Sequence, residues 1–228
     1  ADLSYSYSRI AQHMATPTEG GYQKLLWVAR YLKGTYHYGA FTPNRKPGEP
    51  TQWRFFTDSD LASDRSVQNK GKSRSGYICL ANGFPICYKS KTTSVAMCHP
   101  SMVENHADVS SAAAEIYASG NSCMEFLHLS YCVSEMGKSF PRPFVLEMDN
   151  KSAEVFCKNT AANSKLRHID QRMYWVQALR DSELMVPRHI HTKLNVADMF
   201  TKALTGHAFR SLRDAFLVVM NKSAKSNY

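Results

Sequence analysis

Apolar and polar residues alternate along residues 53–60 (WRFFTDSD), and this alternation predicts a β-strand. The run ends in two carboxylates, Asp58 and Asp60, although Asp-Ser-Asp is also ordinary turn sequence. A second apolar run, residues 144–148, likewise ends in an acid, Asp149. Each acid by itself is more often a helix cap or a solvated surface group. Two strands that end in carboxylates nevertheless suggest one shared site.

The N-terminal part of the chain predicts a packing helix at residues 16–34. Thr16 and Glu19 are spaced as a capping box around Pro17, and Gly34 follows the last apolar position. The apolar stripe of this helix consists of Tyr22, Leu25, Leu26, Ala29 and Leu32. We therefore expect a helix that packs through this stripe, followed by a turn-rich linker at residues 41–50.

The middle of the chain predicts three antiparallel strands and then a long helix. The strands are 53–60, 76–80 and 85–89, and Asn82-Gly83 between the last two favours a hairpin. The helix at about 110–136 carries Glu115 in its first turns. The remaining pattern alternates between strand 144–148, helices near 151–158 and 168–181, strand 184–191, and helical segments 197–204 and 206–220. Such an order predicts an α/β fold with a mixed sheet covered by helices.

Composition narrows the function classes. The 228 residues are 43% hydrophobic, which is enough for one α/β core plus an appendage. We expect an intracellular protein without membrane insertion, because the sequence has neither a long apolar run nor a signal-peptide pattern. The formal net charge of +9 favours polyanions, above all nucleic acid, although many basic proteins bind none.

The six cysteines are predicted to be reduced core residues, because none forms a Cys-x-x-Cys pair and several lie in apolar runs. Cys98, His99 and His106 come closest to a metal-ligand cluster. They lack a fourth ligand at zinc-finger spacing, so we predict no zinc site.

Several short motifs occur together along nearly the whole chain. They are residues 8–19, 30–35 (RYLKGT), 57–60 (TDSD), 73–77 (SRSGY), 110–117 (SSAAAEIY), 148–150 (MDN), 167–170 (RHID) with Arg172, and 197–202 (ADMFTK). In this combination the chain resembles the ribonuclease H region of copia-type LTR retrotransposon polyproteins. The resemblance implies a ribonuclease H-like fold, a five-stranded mixed sheet flanked by helices, in residues 49–204. Residues 1–48 would then be a remnant of the reverse-transcriptase connection with its linker, and 205–228 a C-terminal helix and tail.

The same resemblance implies a metal-dependent endoribonuclease that cleaves the RNA strand of an RNA–DNA hybrid. Its catalytic and metal-binding acids would be Asp58, Glu115, Asp149 and Asp198. Four carboxylates suit two Mg²⁺ ions, with Mn²⁺ as a substitute, because hard divalent cations prefer oxygen ligands. The residues expected to contact nucleic acid are Arg65, Lys70, Lys72, Arg74, Arg167 and Lys202.

A non-enzymatic alternative remains open at this point. Ala113 stands where the family usually has a further glutamate, residues 97–108 form extra sequence, and no Tyr-x-Asp-Asp polymerase motif is present. The chain could therefore be a host-recruited structural or RNA-binding subunit that binds structured RNA and other proteins of a ribonucleoprotein. His189 and His191 precede Asp198, where cellular ribonucleases H carry a histidine that assists product release. A structural hydrogen bond is the favoured interpretation of both.

Overall fold

The structure is a computed structural model that describes residues 1–42, 46, 48–61, 72–93, 111–159 and 171–220. The helices are α1 (Ser4–Ala11), α2 (Glu19–Gly34), α3 (Ser111–Glu135), α4 (Lys151–Lys158), α5 (Gln171–Asp181), α6 (Asp198–Thr201) and α7 (Gly206–Arg213), with a 3-10 helix at Thr192–Leu194. The strands are β1 (Tyr38–Gly39), β2 (Trp53–Asp60), β3 (Arg74–Ala81), β4 (Phe84–Thr92), β5 (Phe144–Met148), β6 (Met185–His189) and β7 (Val218–Val219).

Five of the strands form the central sheet, in the order β4-β3-β2-β5-β6. Strand β3 pairs antiparallel with both β4 and β2, whereas β5 pairs parallel with both β2 and β6. The predicted α/β fold with a five-stranded mixed sheet is therefore confirmed. The strand of Asp58 and the strand before Asp149 are direct neighbours, as one shared site requires.

Both faces of the sheet are covered, so β2 is apolar on both sides. Phe55 points into the larger core, where it contacts Phe126 of α3 and Phe144 of β5. Phe56 points into a smaller core on the opposite face with Phe200 of α6. This second core attaches α6, and with it Asp198, to the sheet.

A buried carboxylate links three neighbouring strands. Glu147 of β5 accepts a hydrogen bond from Arg54 of β2 at 2.8 Å and another from Arg188 of β6. Glu147 is only 2% exposed, whereas both arginines are about half exposed. The guanidinium groups thus cover a charge that the strand pairing has taken out of water.

Helix α2 differs from its prediction in both its cap and its packing. It begins at Glu19, and Thr18, not Thr16, caps it by accepting a hydrogen bond from the Gly21 N–H at 3.1 Å. No residue of α2 is buried, and Tyr22, Leu25, Trp27 and Leu32 are among the exposed large apolar side chains. The predicted stripe therefore does not pack as a whole. The helix is attached through single contacts such as Tyr31 against Phe209 of α7.

The C-terminal part also differs from its prediction. The segment 206–220 is not one helix, because α7 ends at Arg213 and the chain then turns into β7. Val218 and Val219 pair antiparallel with Gly39 and Tyr38 of β1, which makes a second, two-stranded sheet. Leu212 and Phe216 are buried in the smaller core, whereas Val219 is exposed.

Other boundaries move by a few residues. Helix α6 ends at Thr201 instead of 204, and β6 is shorter at both ends than the predicted 184–191. The cysteines that the structure describes are all free, with Cys79, Cys123 and Cys157 buried. Among the described helices, none has the length and apolar character of a membrane span.

Candidate metal centre

Three predicted acids meet at one edge of the central sheet. Asp58 lies near the end of β2, Asp149 directly follows β5, and Glu115 lies in α3, which crosses the sheet there. Because β2 and β5 are parallel, with Phe56 level with Glu147, both strands deliver their acids to the same edge. One carboxylate oxygen from each acid lies within 4.8 Å of the other two. Asp58 and Glu115 are 1% and 4% exposed, whereas Asp149 is half-buried.

The fourth predicted acid, Asp198, lies beside this group but outside it. It is the first residue of α6 and is buried. The ammonium nitrogen of Lys202 lies 3.1 Å from Asp198 Oδ1 and 3.8 Å from Asp58 Oδ2. Asp198 is therefore joined to the other acids through a lysine.

Two polar side chains hold the acids in place. The Thr201 hydroxyl donates a hydrogen bond to Asp58 Oδ2. The Asn195 amide donates to the Thr57 carbonyl at 3.1 Å and to Asp149 Oδ1 at 3.4 Å. Both residues were missed in the sequence. Thr201 lies in the ADMFTK motif, three residues after Asp198, so its helical spacing from that acid was a usable signal.

Burial dominates the electrostatics of the site. Desolvation raises the pKa of Asp58, and it raises the pKa of Glu115 well above the usual range, with repulsion from Asp58 adding to the shift of Glu115. Burial and the charge of Asp58 likewise raise the pKa of Asp198 to about 7. Buried acids with raised pKa values are short of positive charge.

The donor set fits a divalent cation. Glu115 Oε2 is buried and has no hydrogen-bond partner among the described residues, although Glu115 belongs to the group of three converging carboxylates. Buried polar atoms normally have partners, so an unpaired carboxylate oxygen at this point calls for a ligand. Carboxylate oxygens are what Mg²⁺ and Mn²⁺ bind, and Asp58, Glu115 and Asp149 would hold such an ion.

Sequence comparison gives the relatives of the chain. No family model matches it. It is 29% identical over 210 residues to the retrovirus-related Pol polyprotein from transposon RE1 of Arabidopsis thaliana, and this alignment covers 92% of the chain and 13% of that polyprotein. It is 27% identical over 224 residues to the transposon Ty1-JR2 Gag-Pol polyprotein of Saccharomyces cerevisiae, and this alignment covers 95% of the chain and 12% of that polyprotein. Over more than nine tenths of its length the chain is thus similar to parts of copia- and Ty1-type retrotransposon Pol polyproteins. The resemblance in the motifs is therefore confirmed, and the chain spans about an eighth of the length of these curated relatives.

Solved structures similar to this chain include ribonuclease H domains. LC11-RNase H1, isolated from compost, aligns with a TM-score of 0.47 at 12% identity and covers 66% of this chain and 92% of its own. Prototype foamy virus protease-reverse transcriptase aligns with a TM-score of 0.40 at 13% identity and covers 78% of this chain and 22% of its own.

The predicted nucleic-acid contacts have different outcomes. Arg74 was a wrong choice, because it is 3% exposed and its guanidinium is bound inside the protein by Ser8, Ser90 and Thr92. Lys72 is half-buried, and Lys202 is directed at the carboxylates. Several other sequence predictions lie outside the described residues: Arg65, Lys70, Arg167, the extra segment 97–108, and Cys98, His99 and His106.

His189 and His191 both make local hydrogen bonds. His189 Nε2 lies 3.1 Å from the backbone carbonyl oxygen of Asp149, and the His189 N–H donates to Glu154. His191 Nδ1 accepts from the Lys193 N–H and so caps the 3-10 helix. These contacts are of the structural kind favoured above, and those of His189 also fix the backbone at Asp149.

Proposed function

We propose that this chain is a metal-dependent ribonuclease H that hydrolyses the RNA strand of an RNA–DNA hybrid. The observation that carries the proposal is the convergence of Asp58, Glu115 and Asp149 within 4.8 Å, with a buried oxygen of Glu115 left unpaired. Homology to Pol polyproteins supports a function in nucleic-acid processing. The net charge of +9 supports a polyanionic substrate.

In this proposal the acids hold Mg²⁺ or Mn²⁺, and Asp198 is the ligand that a second ion would share with Asp58. When bound, such ions activate the attacking water and stabilise the leaving oxygen of a phosphodiester. The protein residues keep the carboxylates oriented, since Thr201 holds Asp58 and Asn195 holds Asp149. Oriented ligands of this kind matter because small misplacements weaken metal binding and catalysis.

A groove between β3, β4 and α3 supports contacts to the substrate backbone. It has a volume of about 240 Å³ and is lined by Lys89, Lys91, Thr93 and Asn121 among others, and Lys89 pairs with Glu125 of the same groove at 2.8 Å. Ammonium, hydroxyl and amide groups are common phosphate contacts in protein–nucleic acid complexes. We assign to this groove the role that the sequence assigned to Arg74.

The test is Mg²⁺-dependent cleavage of a labelled RNA–DNA hybrid by the Asp149→Asn variant. The amide keeps the shape of the acid but removes its charge, so cleavage should fall by about 100-fold or more, since changes outside the ligand set already cost about 10–100-fold. Hybrid binding, which depends on cationic residues, should stay within about twofold. Asp181→Asn is the matched control, because Asp181 is exposed at the end of α5. Equal cleavage by wild type and Asp149→Asn would refute the mechanism.

A second candidate function is a non-catalytic RNA-binding subunit of a larger assembly. It is favoured by the exposed apolar side chains of α2, including Trp27 at 67% exposure, which suit contact with a protein partner. A folded wild-type protein that binds structured RNA but cleaves no hybrid in Mg²⁺ or Mn²⁺ would favour this candidate.

A further inference from the structure

The lysine between Asp58 and Asp198 occupies a position that the proposed chemistry would give to a metal ion. Its ammonium nitrogen is 3.1 Å from one acid and 3.8 Å from the other. Of the described residues, Lys202 alone forms an ion pair with any of the four predicted acids. The positive charge already present in the site is thus concentrated on the Asp198 side.

Local structure directs the lysine to this point. Lys202 follows the last residue of α6 and has an extended backbone, with φ −136° and ψ 159°, but its N–H still bonds the Asp198 carbonyl at 3.3 Å. Asp198 and Lys202 are therefore an i,i+4 pair at the end of a helix turn. Because Phe200 anchors that turn in the smaller core, the origin of the side chain is fixed.

The two sides of the site are unlike. On one side, Glu115 Oε2 is buried beside Asp58 and Asp149 without a hydrogen-bond partner among the described residues, so this oxygen is available as a ligand for an added cation. On the other side, Asp198 Oδ1 is also buried without a hydrogen bond from the part of the chain that the structure describes, but the Lys202 ammonium lies 3.1 Å from it and forms an ion pair with it. A divalent ion entering there must first displace the ammonium, and Lys202 is 36% exposed, so its side chain has a route into solvent.

Given the metal centre of the proposed function, we propose that Lys202 is a built-in counter-ion that competes with a second divalent ion for Asp58 and Asp198. Divalent ions then bind in two unequal steps. The first ion joins Asp58, Glu115 and Asp149 without disturbing the lysine. The second binds only after the ammonium has left Asp198, so its affinity is lowered by the free energy of that ion pair. In the metal-free protein the same ammonium relieves repulsion among the buried acids.

The test is Mn²⁺ binding, measured by calorimetry and by the electron paramagnetic resonance signal of free Mn²⁺. Lys202→Met keeps the length of the side chain and removes the charge. We expect the ratio of the second to the first dissociation constant to fall by at least about tenfold relative to wild type. Lys193→Met is the control, because Lys193 is exposed on the neighbouring 3-10 helix, and it should leave the ratio unchanged. An unchanged or larger ratio in Lys202→Met would overturn the inference.

Two further measurements guard the interpretation. Lys202→Arg keeps the charge and should retain two unequal steps, which separates charge from packing. Without metal, Lys202→Met should unfold at a lower urea concentration than wild type, and saturating Mn²⁺ should raise its midpoint more than that of wild type; equal responses would contradict the counter-ion role. If neither wild type nor Lys202→Met binds any Mn²⁺, the metal centre of the proposed function fails as well. If both proteins bind Mn²⁺ with the same ratio of second to first dissociation constant, only the proposed role of Lys202 is refuted.

Discussion

Replacing Gly76 by alanine should disturb the metal centre by displacing helix α6. Gly76 lies in β3 directly opposite Asp58 of β2. A Cβ at this position would be 2.5 Å from the Cβ of Phe200, 2.9 Å from Thr201 Cγ2 and 3.2 Å from the carbonyl carbon of Phe200. Helix α6 therefore approaches the sheet more closely than any other residue type at position 76 would permit.

The structure sets the size of the effect. Carbon atoms in contact are about 3.5–4.0 Å apart, so Phe200 would have to retreat by about 1 Å. The Ser90 hydroxyl donates to the Phe200 carbonyl at 2.5 Å, which holds α6 against β4 and opposes that movement. Overpacking of this kind costs about 1–3 kcal/mol. A shift of α6 also carries Thr201, the donor to Asp58, and Asp198 away from the other acids.

Urea unfolding and Mn²⁺ titration of Gly76→Ala measure both consequences. We expect a loss of about 1–3 kcal/mol in the free energy of unfolding and weaker binding of Mn²⁺ even where the variant is fully folded. Gly34→Ala is the matched control, since a Cβ at Gly34 would meet nothing within 4 Å. A Gly76→Ala protein with wild-type stability and wild-type Mn²⁺ affinity would refute the claim that α6 is positioned by this close contact.

Two further predictions concern buried acids. The double variant Arg54→Met, Arg188→Met should lose about 2–3 kcal/mol of the free energy of unfolding, because it leaves the Glu147 carboxylate buried without cations. Glu147→Gln should lose less, and urea midpoints in the opposite order would contradict this. The pKa of Asp198 is raised to about 7, so between about pH 4 and 7 the folded metal-free protein keeps a proton on Asp198 that the unfolded chain has lost. The free energy of unfolding should therefore fall as pH rises through this range, and Asp198 contributes up to about 1.4 kcal/mol per pH unit. Thermal unfolding in a chelator should show this slope. Asp198→Asn should reduce the slope without abolishing it, because the pKa values of Asp58 and Glu115 are also raised; equal slopes in the two proteins would contradict the assignment.

Strands and strand ends were predictable because their signals are local. Alternation in 53–60 and the apolar run 144–148 marked β2 and β5, and each acid followed its strand at a position that can be read directly from the sequence. The adjacency of the two strands came from the family resemblance, since pairing partners are set by the whole fold and not by local pattern. The sequence therefore predicted which acids belong together better than it predicted the geometry between them.

The errors share one physical cause, which is that a residue type does not report its neighbours. Arg74 is cationic and lies in a polar region, yet a register fixed by β2 turns it toward Ser8 and Thr92. The segment 206–220 does begin as a helix, but pairing with β1 takes Val218 and Val219 into a strand. The apolar stripe of α2 has a helical period and still remains exposed, because periodicity says nothing about whether a partner surface exists.

The pairing of β1 with β7 brings two distant parts of the chain to one place. Tyr38 lies opposite Val219, and the Met220 N–H donates to the His37 carbonyl at 2.8 Å. The chain thus leaves this two-stranded sheet after Gly39, builds the whole central sheet with its acids, and returns beside its point of departure. Segments whose ends lie side by side can be spliced into a host loop, or given new termini, with little change to the host. The polypeptide from 40 to 217 therefore begins and ends at neighbouring points, which is the arrangement that domain insertion requires.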